Sequence, residues 1–470
     1  MASKHTSCSR SRSPLRRTYS KQLGSPERQI NDVQADAAGD ASEVVFGPKG
    51  YDFSKPEAIP EASRQRVQER LQSGRLFRYG GDVSDVAELE RTFSEYVGLP
   101  YTMACNSGGC GIFLALKALG VRYGDKVLIN AFTLAPVPGA VVHAGATPVF
   151  VDCERDTLTI DVEDLTIKAS ESGAKVLVMS YMRGQVPDID LVMTRARALD
   201  IKVVEDCAHT LGCTWKPEGE DKPRHLGSFG EVGVWSCQTN KSINSGEGGI
   251  ISTARQDLAS FITVATGSYG HFHQNGASGD VSDIERVYCD VPNMSMRMSN
   301  IAALIAIPQL ALLNDKLAAW RDRAAVLRRV LGECPHACVI RKQWERSGKV
   351  VPVWSSIQFM LPQFSSAMVE ELVEEMSKRH VPLAWFGGHW RGFTSTVKDW
   401  NFASSQTQVA LPNYSGFVQI LVDLPLYHTT TWPISVMEAL AELLRSVICE
   451  IAEREDSSAT ASQESEPDAV

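Results

Sequence analysis

The sequence predicts an α/β protein built on a largely parallel sheet, and three observations carry that prediction. From about residue 100, short runs of continuous apolar character alternate with helical patterns. Runs of that kind are buried on both faces, as parallel strands joined by crossover helices must be. Polar residues gather where the apolar runs end rather than within them. The composition agrees: 470 residues with 43% apolar and 22% charged side chains can build two or three domains around well-developed cores.

Taken in order, "YTMACN" reads as a strand and "GIFLALKALG" as a helix closed by glycine. "KVLINAF" and "TPVFVD" read as strands, followed by the strand "AKVLVMSYM", the periodic helix "DLVMTRARALD" and the strand "KVVEDCA". The apolar runs "VGVWSC" and "GGIIST" add two buried strands on either side of a turn. Farther on, "PVWSSIQFML" and "QILVDLPL" read as strands around the helix "AMVEELVEEMSKRH", whose basic end suits its dipole. This predicts a smaller α+β domain. A final helix starts near Pro433 and carries Ile434, Met437, Leu440, Leu444, Val447 and Ile451 as a core stripe.

The ends differ from the middle. The first 26 residues carry six basic side chains, seven serines and no acid, and the last sixteen carry five acids and no base. Neither end can bury enough apolar surface to offset chain entropy. The expected organisation is a disordered tail over 1–45, a large domain with an N-terminal arm over 46–320, a small domain over 321–454 and an acidic tail over 455–470. An Arg- and Ser-rich start also matches an organelle transit peptide, so the expectation is a cytoplasmic protein, with mitochondrion or plastid as the alternative. The net charge of −9 argues against general nucleic-acid binding. No apolar run approaches the length of a bilayer span, so a water-soluble chain with no membrane partner is expected. Eleven scattered cysteines fit a reducing compartment; "CPHAC" at 334–338 has no second pair at zinc-site spacing, and no metal is expected.

In sheets of this class ligands collect beyond the carboxyl ends of the strands. "CNSGGCG" follows the first strand and opens a helix, so Ser107, Gly108 and Gly109 form either a phosphate-binding turn or a tight packing turn. Asp206 ends the strand "KVVED" with His209 three positions on; the carboxylate either caps a turn or pairs with a buried cationic heterocycle. Ser236 ends another strand, and five residues later Lys241 stands in "NKSINSGEGG" between two core strands. A desolvated lysine has a lowered pKa and can act as a nucleophile. A small-residue phosphate cradle, a strand-end carboxylate with a nearby histidine, a serine and a loop lysine, in this order, are what pyridoxal phosphate needs.

The stretches "CNSGGCGIFLALKALGVRYGDKVLINAFT", "GATPVFVDCERDTLTID", "VVEDCAHTLG", "GSFGEVGVWSCQTNKSINSGEGG" and "MRMSNIAALIAIPQL" resemble, in order and spacing, the DegT/StrS-type sugar aminotransferases. Those are pyridoxal-phosphate enzymes of fold type I, with a large mostly parallel-sheet domain and a smaller C-terminal α+β domain. The resemblance implies that Lys241 is the Schiff-base lysine and moves the substrate proton, that Asp206 pairs with the ring nitrogen, and that His209 lies near the phenolic oxygen. It implies that Ser236, Ser107, Gly108 and Gly109 take the phosphate. It further implies a homodimer in which "NMSMRMSN", with Ser295 and Arg297, reaches the partner's site. Three positions depart from the family pattern: Gly109 replaces a threonine, Leu134 an aromatic residue that stacks on the ring, and Ser295 an asparagine. Arg183, in "SYMRGQVPDID", stands where a histidine- and tyrosine-bearing loop is more familiar; it pairs either with a substrate carboxylate or phosphate, or with a structural carboxylate. "WFGGHWRGF" at 385–393 offers aromatic faces either to a sugar ring or to its own domain.

The resulting expectation is an aminotransferase that moves an amine from glutamate or glutamine to a keto-sugar or related cyclic ketone. Dehydration on the same cofactor is an alternative, although relatives that dehydrate often replace the lysine with histidine. A regulator or scaffold that binds the cofactor without turnover is the other.

Overall fold

The computed structural model describes residues 44–79, 84–271, 281–340, 344–345, 347–388, 396–403 and 410–464. The expected basic tail as far as residue 43, residues 389–393 of the aromatic stretch and the last six residues lie outside the described residues. Two helices come first, α1 (Glu61–Ser73) and α2 (Asp85–Val97). The Ser84 hydroxyl accepts from the Ala87 N–H at the start of α2, and Gly98 ends it in the left-handed conformation. Then follow β1 (Tyr101–Cys105), α3 (Gly108–Ala118), β2 (Lys126–Asn130), α4 (Pro136–His143) and β3 (Thr147–Val151). Next come α5 (Val162–Ser172), β4 (Val176–Ser180), α6 (Ile189–Ala198) and β5 (Lys202–Asp206). Two short strands, β6 (Thr214–Trp215) and β7 (Arg224–His225), precede β8 (Val232–Ser236) and β9 (Gly249–Thr253).

These strands form a seven-stranded sheet in the order β1-β9-β8-β5-β4-β2-β3, with β6 and β7 in a separate small sheet. The ladders from β3 through β2, β4 and β5 to β8 are parallel, and β9 runs antiparallel to both β8 and β1. All seven strands expected from the apolar runs are present. The carboxyl ends of β1, β2, β4, β5 and β8 therefore share one edge, where β9 begins: Gly249 pairs with Cys105 on one side and Ser236 on the other. A Cβ on Gly249 would lie 2.3 Å from the Ser107 carbonyl oxygen, so only glycine lets the chain pass between these strand ends. Gly111 does the same for α3, since a Cβ there would meet Val234 Cγ1 at 2.7 Å.

The remaining elements are α7 (Gln256–Ala265), α8 (Val281–Val287), α9 (Asn300–Ala311), α10 (Leu313–Gly332), β10 (Cys338–Val339) and β11 (Val350–Val351). They are followed by β12 (Ser356–Met360), α11 (Ser366–Lys378), β13 (Ala384–Trp385), α12 (Pro412–Val418), β14 (Leu421–Pro425) and α13 (Ile434–Glu464). An antiparallel sheet, β10-β12-β14-β13, holds the C-terminal part. Residue 320 lies inside α10, so the chain passes from one sheet to the other along a continuous helix. Of the expected core stripe on α13, Met437, Leu440, Leu444, Val447 and Ile451 are buried. Ile434 is not: at the first turn it points to solvent, 41% exposed, and Val436 takes the inward position. The helix also continues through the expected tail from 455 to Glu464. Extending an existing helix needs no new nucleus, which is why a polar, acid-rich segment stays helical there. Cys334 of "CPHAC" faces Cys449 at 4.0 Å, and Cys338 is exposed.

Beneath the sheet edge, Glu205 is fully buried and accepts four hydrogen bonds, from the Tyr181 hydroxyl at 2.6 Å and the N–H groups of Gly227, Phe229 and Gly230 at 2.7–2.8 Å. Burial pushes its carboxyl upward against those four donors. The carboxylate thereby shapes the turn that feeds β8. Glu205→Ala leaves these buried donors without an acceptor, and we expect urea unfolding to show a loss of at least about 3 kcal/mol, at one to three per orphaned group.

Candidate active site

The apolar runs of β4, β5 and β8 stop at Ser180, Asp206 and Ser236, and this common ending assembles the site. Ser180 sits opposite Asp206 in the ladder. Its hydroxyl donates to Asp206 Oδ2 at 2.7 Å and receives the Thr133 hydroxyl proton at 2.9 Å, a directed chain ending on the carboxylate. The Ala208 N–H donates to Asp206 Oδ1 at 3.2 Å. Asn130, last residue of β2, fixes Ser180 from both sides: its Oδ1 accepts from the Ser180 N–H and its Nδ2 donates to the Ser180 carbonyl. Burial raises the Asp206 pKa, opposed by Ser180, Ala208 and the nearby Lys241. A carboxylate out of water beside mostly neutral donors is poised for a cation.

Lys241 lies in the turn from β8 to β9, partly buried, with Nζ 2.7 Å from His209 Nε2. Burial, then the positive charge of Arg183, lowers its pKa to about 8, with Asp206 pulling the other way. At the adjoining end of β1, Ser107 caps α3 by accepting from the Cys110 N–H at 3.1 Å, which leaves its own O–H to donate elsewhere. Ser236 likewise accepts from the Gln238 N–H at 3.3 Å. Gly108 approaches it closely, since a Cβ there would be 3.1 Å from Ser236 Cβ, whereas one on Gly109 would only touch Pro136 at 3.8 Å. The N-terminus of α3 and Ser236 thus form one small-residue cradle at the sheet edge. Leu134 is half-buried and packs against the core.

Arg183 follows β4 in the left-handed region (φ 55°, ψ 23°), a conformation that costs a non-glycine residue about 1–3 kcal/mol. Its Nε lies 3.2 Å from Asp423 Oδ2 in β14, so of its two possible pairings the carboxylate within the protein is the one seen. Asp423 also accepts from Gln358 Nε2 at 2.5 Å, and Gln358 Oε1 accepts from Gln185 Nε2 at 2.9 Å. Ser295 Oγ is 3.3 Å from the Tyr269 hydroxyl, and Arg297 donates to the Gly267 carbonyl and covers the rings of Phe77 and Tyr269. Their segment meets the end of β1 through backbone, the Asn106 N–H donating to the Met296 carbonyl at 2.8 Å and Arg297 bridging to Cys105. In "WFGG", Trp385 Nε1 donates to the Gln419 carbonyl within its own domain, whereas Phe386 packs edge-on against Phe132 of the large domain and lies under the Arg183 guanidinium, 5.8 Å from ring centre to Cζ.

Four residues escaped sequence reasoning: Ser180, Asn130, Thr133 and Asp423. Ser180 and Asn130 carry the same signal that marked Asp206, a polar side chain closing an apolar strand.

The model of the DegT/DnrJ/EryC1/StrS aminotransferase family matches residues 57–436. The chain belongs to this family. Among curated relatives it is similar to the GDP-perosamine synthase of Caulobacter vibrioides, 31% identical over 51% of this chain and 59% of the relative. It is also similar to the L-glutamine:2-deoxy-scyllo-inosose aminotransferase of Streptomyces fradiae, 30% identical over 57% of this chain and 62% of the relative. The chain thus spans about three fifths of the length of these two relatives. Among solved structures, the GDP-4-keto-6-deoxy-D-mannose-3-dehydratase of E coli with bound hydrated PLP shares the fold with a TM-score of 0.69 at 19% identity, over 83% of this chain and 97% of that one. The family's mostly parallel sheet and fold-type-I architecture are those described above.

The Arg183–Asp423 pair is open to a direct test. Asp423→Ala removes the carboxylate paired with a buried guanidinium and should cost about 3–5 kcal/mol in unfolding free energy, and adding Arg183→Met should recover part of it. Equal losses in the single and double variants would deny the pairing.

Proposed function

We propose that the chain is a pyridoxal-phosphate-dependent aminotransferase that passes an amine from glutamate or glutamine to a keto-sugar or related cyclic ketone. The observation that carries this reading is the partly buried Lys241 amine, 2.7 Å from His209, at the strand edge that also holds Asp206 and the α3 cradle. The residues fit the cofactor on their own chemistry. Asp206 offers a buried carboxylate held by neutral hydrogen-bond donors, suited to a protonated ring nitrogen. The O–H groups of Ser107 and Ser236 and the free amides opening α3 suit a phosphate, Gly108 and Gly109 leaving room for it. His209 would meet the ring's phenolic oxygen. When bound, pyridoxal phosphate supplies an aldehyde for the amine and a cationic ring that draws electrons from the donor's α carbon. The chain's share is positioning and proton transfer: Lys241 Nζ takes the α proton and returns it, while Asp206 keeps the ring nitrogen protonated.

The relatives support the substrate class, one name pairing L-glutamine with a cyclic inosose and another naming perosamine. Lys241 being in place favours amine transfer over dehydration. We propose a homodimer as well, supported by apolar side chains left exposed beside the Ser295–Arg297 segment: Leu76 at 41%, Phe77 at 45%, Tyr269 at 46% and Met294 at 55%.

The test is exchange of the donor's α hydrogen with heavy water, together with release of the matching keto acid. Full-length protein supplied with the cofactor is expected to catalyse both with glutamate or glutamine. Lys241→Ala should slow the exchange by at least about a hundredfold, the usual scale of a lost acid–base group. No exchange with any common amino donor would favour the non-catalytic alternative.

A further inference from the structure

Two hydrogen bonds converge on His209, and beside an uncharged lysine a neutral ring satisfies both in one protonation pattern. The Arg183 N–H donates to Nδ1 at 3.4 Å, and Nε2 lies 2.7 Å from Lys241 Nζ. A backbone N–H can only donate, so Nδ1 must offer its lone pair. A neutral imidazole has one proton, which then sits on Nε2 and points at the lysine. For Nε2–H to donate, Nζ must offer a lone pair in turn, and only the uncharged amine has one. An ammonium at Lys241 would need Nε2 as acceptor, which would move the ring proton to Nδ1 and against the Arg183 N–H.

We propose that residue 183 is a positioning residue that biases Lys241 toward the free amine: its backbone directs an N–H to His209 and favours one tautomer, while its guanidinium, anchored by Asp423, adds a positive charge that disfavours the ammonium. The backbone and the side chain contribute separately. Both Arg183 (φ 55°) and Gly184 (φ 73°) are left-handed, and it is from this turn that the 183 N–H meets Nδ1 of the imidazole. The ion pair to β14 then holds the guanidinium in place. The charged groups acting on Lys241 are Arg183 after β4 and Asp206 at the end of β5. Those acting on Arg183 from the C-terminal sheet are Asp423 and the phenol of Tyr427. Asp206 favours the ammonium, and burial with Arg183 outweighs it. This deepens the aminotransferase reading, because an aldehyde is attacked by the free amine and not by the ammonium. It is nevertheless a property of the protein before any cofactor arrives.

The experiment therefore uses full-length protein freed of cofactor. Nitrogen-15 NMR of selectively labelled histidine on the alkaline side of the Lys241 midpoint, with His209→Gln for assignment, is expected to show His209 protonated at Nε2 and bare at Nδ1. Competitive labelling with trace acetic anhydride across the neutral to alkaline range reads the lysine: Lys241 should reach half-reactivity near pH 8. Arg183→Gly keeps the N–H and suits the left-handed backbone while deleting the guanidinium. It should preserve the tautomer and raise the labelling midpoint by about one pH unit, a tenfold loss of free amine at neutral pH. Arg183→Lys keeps a cation and should hold the midpoint near its original place. If Arg183→Gly does not fold with Asp423 left charged, Arg183→Gly with Asp423→Asn is read instead, with the same expected rise. A proton on Nδ1, a Lys241 midpoint near about 10.4 as in a free lysine, or a midpoint unmoved by loss of the guanidinium would each overturn the proposal. Failure to bind pyridoxal phosphate with these three results intact would sink the aminotransferase reading and leave this one standing.

Discussion

A primary amine drawn out of water within electrostatic reach of a buried carboxylate is the constraint around which the molecule is arranged. Lys241 follows β8 and Asp206 ends β5, its neighbour in the sheet. Each group would lose hydration for nothing if it stood there alone. Neutral partners hold them instead: Asp206 by Ser180 and Ala208, Lys241 by His209. The amine keeps access to its uncharged, nucleophilic form and the carboxylate keeps capacity for a cation, both of which a direct ion pair between the two would forfeit.

The fold supplies this arrangement through shared strand ends. Parallel strands covered on both faces leave their carboxyl ends as the place where polar side chains can stand without breaking the core. Close packing does the rest. Gly249 lets β9 enter between β1 and β8, and Gly111 draws α3 onto β8, so its N-terminus opens beside Ser236. The C-terminal sheet is tied in by polar contacts of defined direction. Arg183 meets Asp423, and Asp152, just after β3, accepts the Asn413 and Tyr414 N–H groups in the first turn of α12. A carboxylate at a helix N-terminus also suits the dipole. Any shift of β14 against β4 would therefore act on Arg183, and through it on the electrostatics of Lys241.

Most of the fold was legible in the sequence because parallel strands announce themselves as unbroken apolar runs. The seven main strands, α3, α6, α11 and the last helix all follow from such patterns. The first turn of α13 did not, because Ile434 fits the helical period yet lies where the helix has not reached the core. Of the site, Lys241, Asp206, His209, Ser236 and the α3 turn were readable as polar residues at strand ends. Ser180 and Asn130 carried the same mark but are small and common, so they drew no attention. Arg183 was visible only as a choice between two partners. Its actual partner, Asp423, lies 240 positions away on another sheet, and neither periodicity nor composition reports a contact of that range. Its left-handed backbone is equally silent, since nothing in "YMRGQ" demands that arginine, as well as the glycine beside it, adopt a positive φ.

The central claim is that this amine, and no other in the chain, receives the cofactor's aldehyde. Protein recovered from cells supplied with vitamin B6, reduced with borohydride and digested, answers it by peptide mass mapping. The account predicts a pyridoxyl group on the peptide containing Lys241. A map with that peptide unmodified, or with the group fixed on a different lysine, would contradict it.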